Sequence, residues 1–568
     1  MAAVAPGVKT GPYHVVLDHI HPAPTSFIRK YIFSIDHKII GIQYMITAGL
    51  FFIIAGLLAE IIRTQLLSPK GAIVSAATFN AIYSMHGTTM VWFVVIPLLT
   101  GAFGNFVMPL QIGARDVAFP WLNLVSYWIF PVAGVLLFSS FLIGAPDAGW
   151  TEYPPISLLG PPGTSMWAVA VFLIGISSTL TGINFTVTIL KMRAPGMTFT
   201  RMPLFVWAQF ATSPMLLIAT TALNGALGAL FLERQFGVPF YAPQFGGSPV
   251  LWQHMFWFYS HPAVYIMILP AFGFISEILS TFSRKPVFGY KMIAFSTVAI
   301  ALLSFAVWAH HMFTSGMVPW LQLPFMIITM FIAIPTGIKI FSWMATLWGG
   351  SIRWTTAMLF ATGFLITFTF GGLTGFFLAA VPADYHEHGS YFVVAHLHYV
   401  LFGGSMMGLF AAIYYWFPKM SGRMMNETLG KWHFWLVFIG FNGTFIPLHW
   451  LGLMGMPRRV AIYDPQYQFW NIVASSFSYI MTFAILLMFI NILVSLRNGK
   501  KAGPNPWGAR TLEWMISSPA PYYNFKKIPA VLATPYDFGN PLPYLGLDAA
   551  PGATEATPTH TSHPVPTY

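Results

Sequence analysis

The sequence predicts an all-α, polytopic membrane protein with twelve transmembrane helices and both termini in the cytoplasm, and three observations carry that expectation. Of 568 residues, 56 % are hydrophobic and only 8 % charged, against about 25 % charged in an ordinary soluble domain. Twelve apolar stretches reach the roughly 20 residues needed to cross a bilayer. Lysine and arginine divide unequally between the loops that those stretches define. Soluble enzyme, disordered scaffold and nucleic-acid binder are therefore poor readings, and the formal charge of +11 reports topology.

The first span, 38–62, opens at Lys38 and closes at Arg63, and the second, 80–110, ends before Arg115. Span 124–145 leads into a loop with the turn residues Ala145-Pro146-Asp147 and Pro154-Pro155; span 167–191 ends at Lys191 and Arg193. Spans 204–232, 250–281 and 290–317 are separated by Arg234 on one side and by Arg284, Lys285 and Lys291 on the other. Span 321–346 contains Lys339, and Arg353 precedes span 355–380. Span 391–418 ends at Lys419 and Arg423, 431–455 leads to Arg458 and Arg459, and 470–496 ends at Arg497. Twenty-one of the 27 basic residues fall on the side of the termini and five opposite, which places both termini in the cytoplasm by the positive-inside rule.

The chain thus divides into an N-terminal segment 1–37, a twelve-helix core 38–497 and a C-terminal tail 498–568. The end of that tail, Gly552 to Tyr568, is rich in Pro, Thr and Ala and reads as disordered. No signal-peptide pattern precedes the first span, and no internal repeat suggests an inverted-repeat transporter. There is no cysteine, which excludes disulfides, iron–sulfur clusters and thiolate copper sites in this chain.

Seventeen histidines remain as the main candidates for chemistry. His14, His19, His21, His37, His386, His388, His560 and His563 read as surface or tail residues. His86, His254, His261, His310, His311, His396, His398, His433 and His449 fall inside apolar spans, where a polar side chain is costly and faces the bundle interior. His396 and His398 are two apart, so on a helix they point about 200° from each other and serve two sites rather than one. His310 and His311 are about 100° apart and could converge on one ion beside their helix. His261 and Tyr265 form an i, i+4 pair on one face, and three imidazoles suit copper. His254, His433 and His449 read as structural.

Four long motifs give these residues a context: Met85-His86-Gly87-Thr88, Val107 to Asp116 (VMPLQIGARD), Trp308 to Phe313 (WAHHMF) and Ala395-His396-Leu397-His398-Tyr399. On them the chain resembles subunit I of the haem–copper terminal oxidases, in the prokaryotic aa3-type cytochrome c oxidase branch, from about Asp36 to Pro519. The resemblance implies a catalytic subunit that reduces O2 to water and pumps protons. His86 and His398 would be axial ligands of a low-spin haem, and His396 the single axial ligand of a high-spin haem, both of the A type. His261, His310 and His311 would bind one copper ion, with Tyr265 covalently linked to His261. Arg458 and Arg459 would pair with haem propionates, and Arg63 would lie near the low-spin haem; without ligands, the arginine pair reads as an interface anchor and Arg63 as a snorkelling residue. His388 aligns with the first member of a His–Asp pair that binds magnesium or manganese in relatives; Gly389 replaces the Asp, leaving His388 alone as a candidate ligand.

Two proton routes are implied. Lys339, which costs about 2.5–3.5 kcal/mol to place in a span, would line one with Thr336 and Ser276 toward Tyr265. Asp116 would begin the other, with Asn105 and Asn123 nearby and Ser177 and Ser178 beyond; alone, Asp116 beside Arg115 also reads as a surface ion pair. Many relatives end this second route at a Glu two residues after the copper-binding His, where this chain has Ala263. Tyr259 and Ser260 precede His261 instead, so pumping would rely on their hydroxyls and water.

The implied donor is cytochrome c, through a dinuclear copper centre on subunit II, with subunit III and further small subunits as partners in a prokaryotic plasma membrane. The quinol-pocket positions of related ubiquinol oxidases read Ile54, Leu58, Thr78 and Ala81 here; a menaquinol or other quinol oxidase with a different pocket is the alternative. Tyr265 and Lys339 argue against nitric oxide reductase, and haem bands in a visible spectrum would separate any of these from a transporter.

Overall fold

Apolar stretches of this length can satisfy their backbone groups within lipid only as helices or closed barrels. The computed structural model, which describes residues 23–71, 73–536, 538 and 544–545, folds them as helices. In chain order these are α1 His37–Gln65, α2 Ala76–Ile112, α3 Pro120–Ile143, α4 Gly163–Lys191, α5 Leu204–Phe236 and α6 Pro249–Ser283. There follow α7 Tyr290–Ser304, α8 Pro319–Leu347, α9 Thr356–Ala379, α10 Tyr391–Ser421, α11 Glu427–Leu453 and α12 Pro465–Asn498. Among the described residues, eleven of these are long and apolar enough to cross a membrane, and α7 is the shorter one. Strand is confined there to a two-residue antiparallel pair, Ala530 opposite Leu545 and Val531 opposite Tyr544.

Local signals set the helix starts. Asp36, Ser75, Thr355, Ser390 and Asn426 each accept a first-turn backbone N–H of α1, α2, α9, α10 and α11, a cap worth about 1 kcal/mol. Gly422 ends α10 at φ 72°, a left-handed position that side chains resist. The helices pack mainly as antiparallel sequence neighbours, α3 on α4, α4 on α5, α5 on α6 and α11 on α12. The most enclosed are α2, α6 and α10, whereas α1, α8 and α12 turn most of their surface outward.

The seventh expected span, 290–317, is not one helix. The α-helix stops at Ser304, and a single 3-10 turn, Trp308–Met312, carries His310 and His311. A straight helix over all 28 positions would run about 42 Å, beyond the ~30 Å apolar core, and would leave no room to turn before Pro319. Non-helical backbone at this depth is tolerated because protein surrounds it; Ala309 and Met312 are buried. α8 is itself interrupted at Ile332, where Pro335 cannot donate to the Phe331 carbonyl.

Two helices change their winding at a notable place. α2 passes into π-helix at Thr89–Val95, just after His86, and α10 does so at Leu401–Met406, just after His398. Such segments recur at functional sites. In α10, Gly403 and Gly404 allow the close approach: a Cβ on either would fall within 3.0 Å of α9 side chains.

The flanking segments meet at one end of the bundle. Lys38 Nζ donates to the Tyr522 carbonyl at 2.7 Å and to Asn524 Oδ1 at 2.8 Å, while Asn524 Nδ2 donates to the Ala114 carbonyl. Lys38 and residue 524 therefore lie at the same end of the bundle. Residues up to 536 pack against this end: Lys419 donates to the carbonyls of Pro504 and Ile516, and Trp416 to Glu513. His37, expected at the surface, is fully buried between the Asn105 carbonyl and Asn524, because this returning segment covers it. His14, His19, His21, His560, His563 and the stretch Gly552 to Tyr568 lie outside the described residues.

Candidate functional site

α6 carries His261 and, one turn on, Tyr265; their ring centroids are 4.8 Å apart. The 3-10 turn after α7 brings His310 and His311 to the same point. His261 Nδ1 lies 3.2 Å from His311 Nε2, and His310 Nε2 lies 3.1 Å from it. One ligand atom from each ring falls within 4.8 Å of the others, so the three could hold a metal ion. Nitrogens bound at about 2.0 Å to one ion stand at most about 4 Å apart, so the group needs only a small contraction. Outer partners orient the rings, as metal-site histidines require: His310 Nδ1 is 3.0 Å from Thr329 Oγ1 on α8, and the Trp257 indole stacks on His311 at 3.7 Å. His261 Nε2 is buried without a partner, on a ring that packs against Tyr265.

α2 and α10 oppose His86 and His398. Their rings are parallel within 6°, with centroids 6.4 Å apart. Two metal–nitrogen bonds of about 2 Å each and the inner halves of two five-membered rings account for that separation. Each Nδ1 is occupied, His86 by the Ala55 carbonyl of α1 at 2.9 Å and His398 by the Val394 carbonyl at 2.8 Å, which leaves Nε2 for a ligand bond. His396 faces the other side of α10, as its spacing from His398 predicts. Its Nδ1 lies 3.1 Å from both the Gly371 carbonyl and Thr374 Oγ1 on α9, and a Cβ on Gly375 would come within 2.7 Å of the ring.

Three arginines were expected beside these rings. Arg63 is buried at the end of α1 and donates to Asn471 and Ser475 of α12, from 3.1 to 3.3 Å. Arg459 has φ 65° and donates to the Ala148 carbonyl at 3.2 Å. The Arg458 guanidinium makes no hydrogen bond among the described residues; burial and the adjacent Arg459 lower it to about 10. A desolvated cation without an acceptor calls for an anionic partner.

His388 is not alone. Its Nδ1 lies 2.9 Å from Asp384 Oδ2, four residues earlier across the short helix Val381–Glu387. The alignment to a lost Asp at Gly389 hid this i, i+4 carboxylate. Among the described residues the copper-type triad is still the one group of three such side chains. His433 pairs with Tyr414, His449 with its own helix and His254 with Trp308.

Polar side chains run from the flanking-segment end toward His261. Asp116 accepts the Val117 N–H, and burial, then the neighbouring Asp36, push its carboxyl up to about 8. Asn123 donates to Asn105 at 2.7 Å. Ser177 donates to the Ser126 carbonyl at 2.6 Å, and Tyr44, which sequence reasoning missed, lies between the Ser126 and Ser177 hydroxyls at 3.4 and 3.5 Å. Beyond them is a cavity of about 20 Å³ lined by Tyr44, Ser177, Ser178, Thr181 and Trp92, room for about one water. Trp92 Nε1 donates to the Tyr259 hydroxyl at 3.1 Å, and the buried Ser260 hydroxyl has no partner.

Lys339 is buried but is not joined to Thr336 or Ser276 by a hydrogen bond. It donates to the Ile293 carbonyl at 2.9 Å and to Thr297 Oγ1 at 2.5 Å, both on α7. Thr336 donates to the Ile332 carbonyl one turn back, a local bond open to any helical threonine. Ser276 donates to the Phe272 carbonyl and accepts from Trp343.

Known proteins resemble this chain along most of its length. The family model described as Cytochrome C and Quinol oxidase polypeptide I matches residues 39–480. The chain is 50 % identical over 520 residues to cytochrome c oxidase subunit 1 of Thermostichus vulcanus, covering 91 % of this chain and 94 % of that one. It is 53 % identical over 508 residues to the subunit 1 of a Synechocystis species, covering 89 % and 92 %, and 47 % identical over 511 residues to that of Bacillus subtilis, covering 89 % and 82 %. A solved heme-copper terminal oxidase dimer shares the fold, with a TM-score of 0.71 at 17 % identity over 82 % of this chain and 85 % of that one. Matched along most of its length by model and relatives alike, the chain belongs to the cytochrome c and quinol oxidase polypeptide I family.

Proposed function

We propose that this chain is the catalytic subunit of a haem–copper terminal oxidase that reduces O2 to water with electrons from cytochrome c and couples the reaction to proton pumping. The convergence of His261 Nδ1, His310 Nε2 and His311 Nε2 beside Tyr265 carries the reading. His86 and His398 would hold the low-spin haem, His396 the high-spin haem and the triad one copper; haem A is the type that the aa3-type resemblance implies. Bound there, these groups supply electrons for breaking the O–O bond. Tyr265 supplies a further electron with its proton, and the unpartnered His261 Nε2 supports the expected covalent link between the two rings. Arg458 and Arg459 would neutralise propionates, Arg63 would flank the low-spin haem, and His388 with Asp384 offers two ligands to a magnesium or manganese ion.

Twelve crossings, with segments 1–37 and 498–568 in the cytoplasm of a prokaryotic cell and the core 38–497 in its plasma membrane, fit the charge bias and the Lys38–Asn524 contact. Electrons would arrive through the dinuclear copper of subunit II, with subunit III and smaller subunits completing the complex. Oxygen uptake by the purified oxidase with reduced cytochrome c, and little with quinol, tests the donor; the reverse preference contradicts it.

Protons for pumping would enter at Asp116 and pass Asn105, Asn123, Tyr44 and the Ser177 cavity to Tyr259 and Ser260. Two results are expected. Tyr259→Phe with Ser260→Ala lowers the protons ejected per electron in vesicles, and an unchanged ratio contradicts the route. Asp116 holds its proton below about pH 8 and loses it above, so turnover declines on the alkaline side; Asp116→Asn slows turnover and removes that limb from the pH–rate profile.

A further inference from the structure

The loop between α3 and α4 holds a carboxyl that the routes above do not use. Glu152 is fully buried and sits at φ 42°. Its Oε1 accepts a single N–H, from Ala148 at 3.3 Å, and its Oε2 has no partner. A glutamate with a purely structural task looks different in the same protein: Glu233 accepts the N–H groups of Phe240, Tyr241 and Ala242 at 3.2, 2.8 and 2.9 Å. Burial, then the Asp147 carboxyl, push Glu152 up to about 8, so it carries a proton at neutral pH.

Charged groups surround it. Arg459 grips the same turn, donating to the Ala148 carbonyl and to Thr151 Oγ1 at 3.4 Å; a Cβ on Gly149 would lie 2.6 Å from its guanidinium carbon. Asp147, on the same loop, is half-buried with Oδ1 unpartnered. The charged and titratable groups facing Glu152 are Asp147 on its own loop, Tyr83 on α2, Arg234 at the end of α5 and Arg459 before α12. Sequence reasoning passed over Glu152 because it stands outside every motif and span.

We propose that Glu152 is a proton-release carboxyl on the outer side, which takes a proton from the Arg458–Arg459 pocket and passes it through Asp147 to the outer water. The step is a reversible protonation, –COO⁻ plus H⁺ to –COOH and back, with no change of oxidation state. It rests on the pumping proposed above. The test uses the whole oxidase in vesicles, with Glu152→Gln, which keeps the Ala148 bond but cannot titrate, and Glu152→Asp as the conservative variant. The expected result is that E152Q loses half or more of the protons ejected per electron. It also loses a deuterium-sensitive carboxylic C=O band from the redox-difference infrared spectrum, while E152D restores ejection and shifts that band. E152Q ejecting protons like the wild type, or a band unmoved in both variants, overturns the proposal. A wild-type enzyme that ejects no protons sinks the pumping reading itself. Should E152Q fail to assemble, the band shift in E152D decides.

Discussion

His311→Ala is expected to remove one copper per complex, leave both haems in place and abolish oxygen reduction. Two of the close nitrogen contacts of the triad run through His311 Nε2, so its loss leaves His261 and His310 with no shared neighbour. Removing even an outer partner of a metal ligand costs about 10–100-fold, which sets a floor; loss of the ligand should exceed it. His86, His398 and His396 are anchored on other helices, to Ala55, Val394 and Gly371, so the haem spectrum should keep its intensity. Metal analysis, a haemochrome spectrum and oxygen uptake on one preparation check all three. Retained copper with retained turnover contradicts the assignment.

Lys339→Met has the second largest expected effect. Methionine fills the same space without donors, and the bonds to the Ile293 carbonyl and Thr297 are lost. If Lys339 carries protons toward Tyr265, turnover falls by about 10²–10⁴-fold, the usual weight of a positioned proton donor. Reduction of the low-spin haem by its donor should persist, because His86 and His398 are held by the Ala55 and Val394 carbonyls on α1 and α10. Oxygen uptake together with rapid-mixing spectra separates the two steps; equal turnover in wild type and variant contradicts the route. Thr297→Ala should produce a smaller fall of the same kind, since it removes one of the two acceptors.

The membrane fold is legible from the apolar runs because a span has few ways to satisfy its backbone. The opposed faces of His396 and His398 follow from helical spacing alone, and so does the His261–Tyr265 pair. Other features depend on where helices cross. The break after Ser304 and the π segments of α2 and α10 arise from packing and from the need to turn before Pro319. Lys339 selects α7 rather than Thr336 and Ser276 through tertiary proximity that no spacing within α8 encodes. His37 is hidden by a segment almost five hundred residues away. Asp384 was within reach of helical spacing, since it stands one turn before His388.

The measurement that tests the central claim most directly is a cryo-EM map of the oxidase purified from its own membrane with cofactors retained. The six-histidine assignment requires one macrocycle iron between His86 Nε2 and His398 Nε2, a second on His396 Nε2, and an ion shared by His261 Nδ1, His310 Nε2 and His311 Nε2. Density for a metal on His433 or His449 instead, or no density at any one of those three positions, would contradict it.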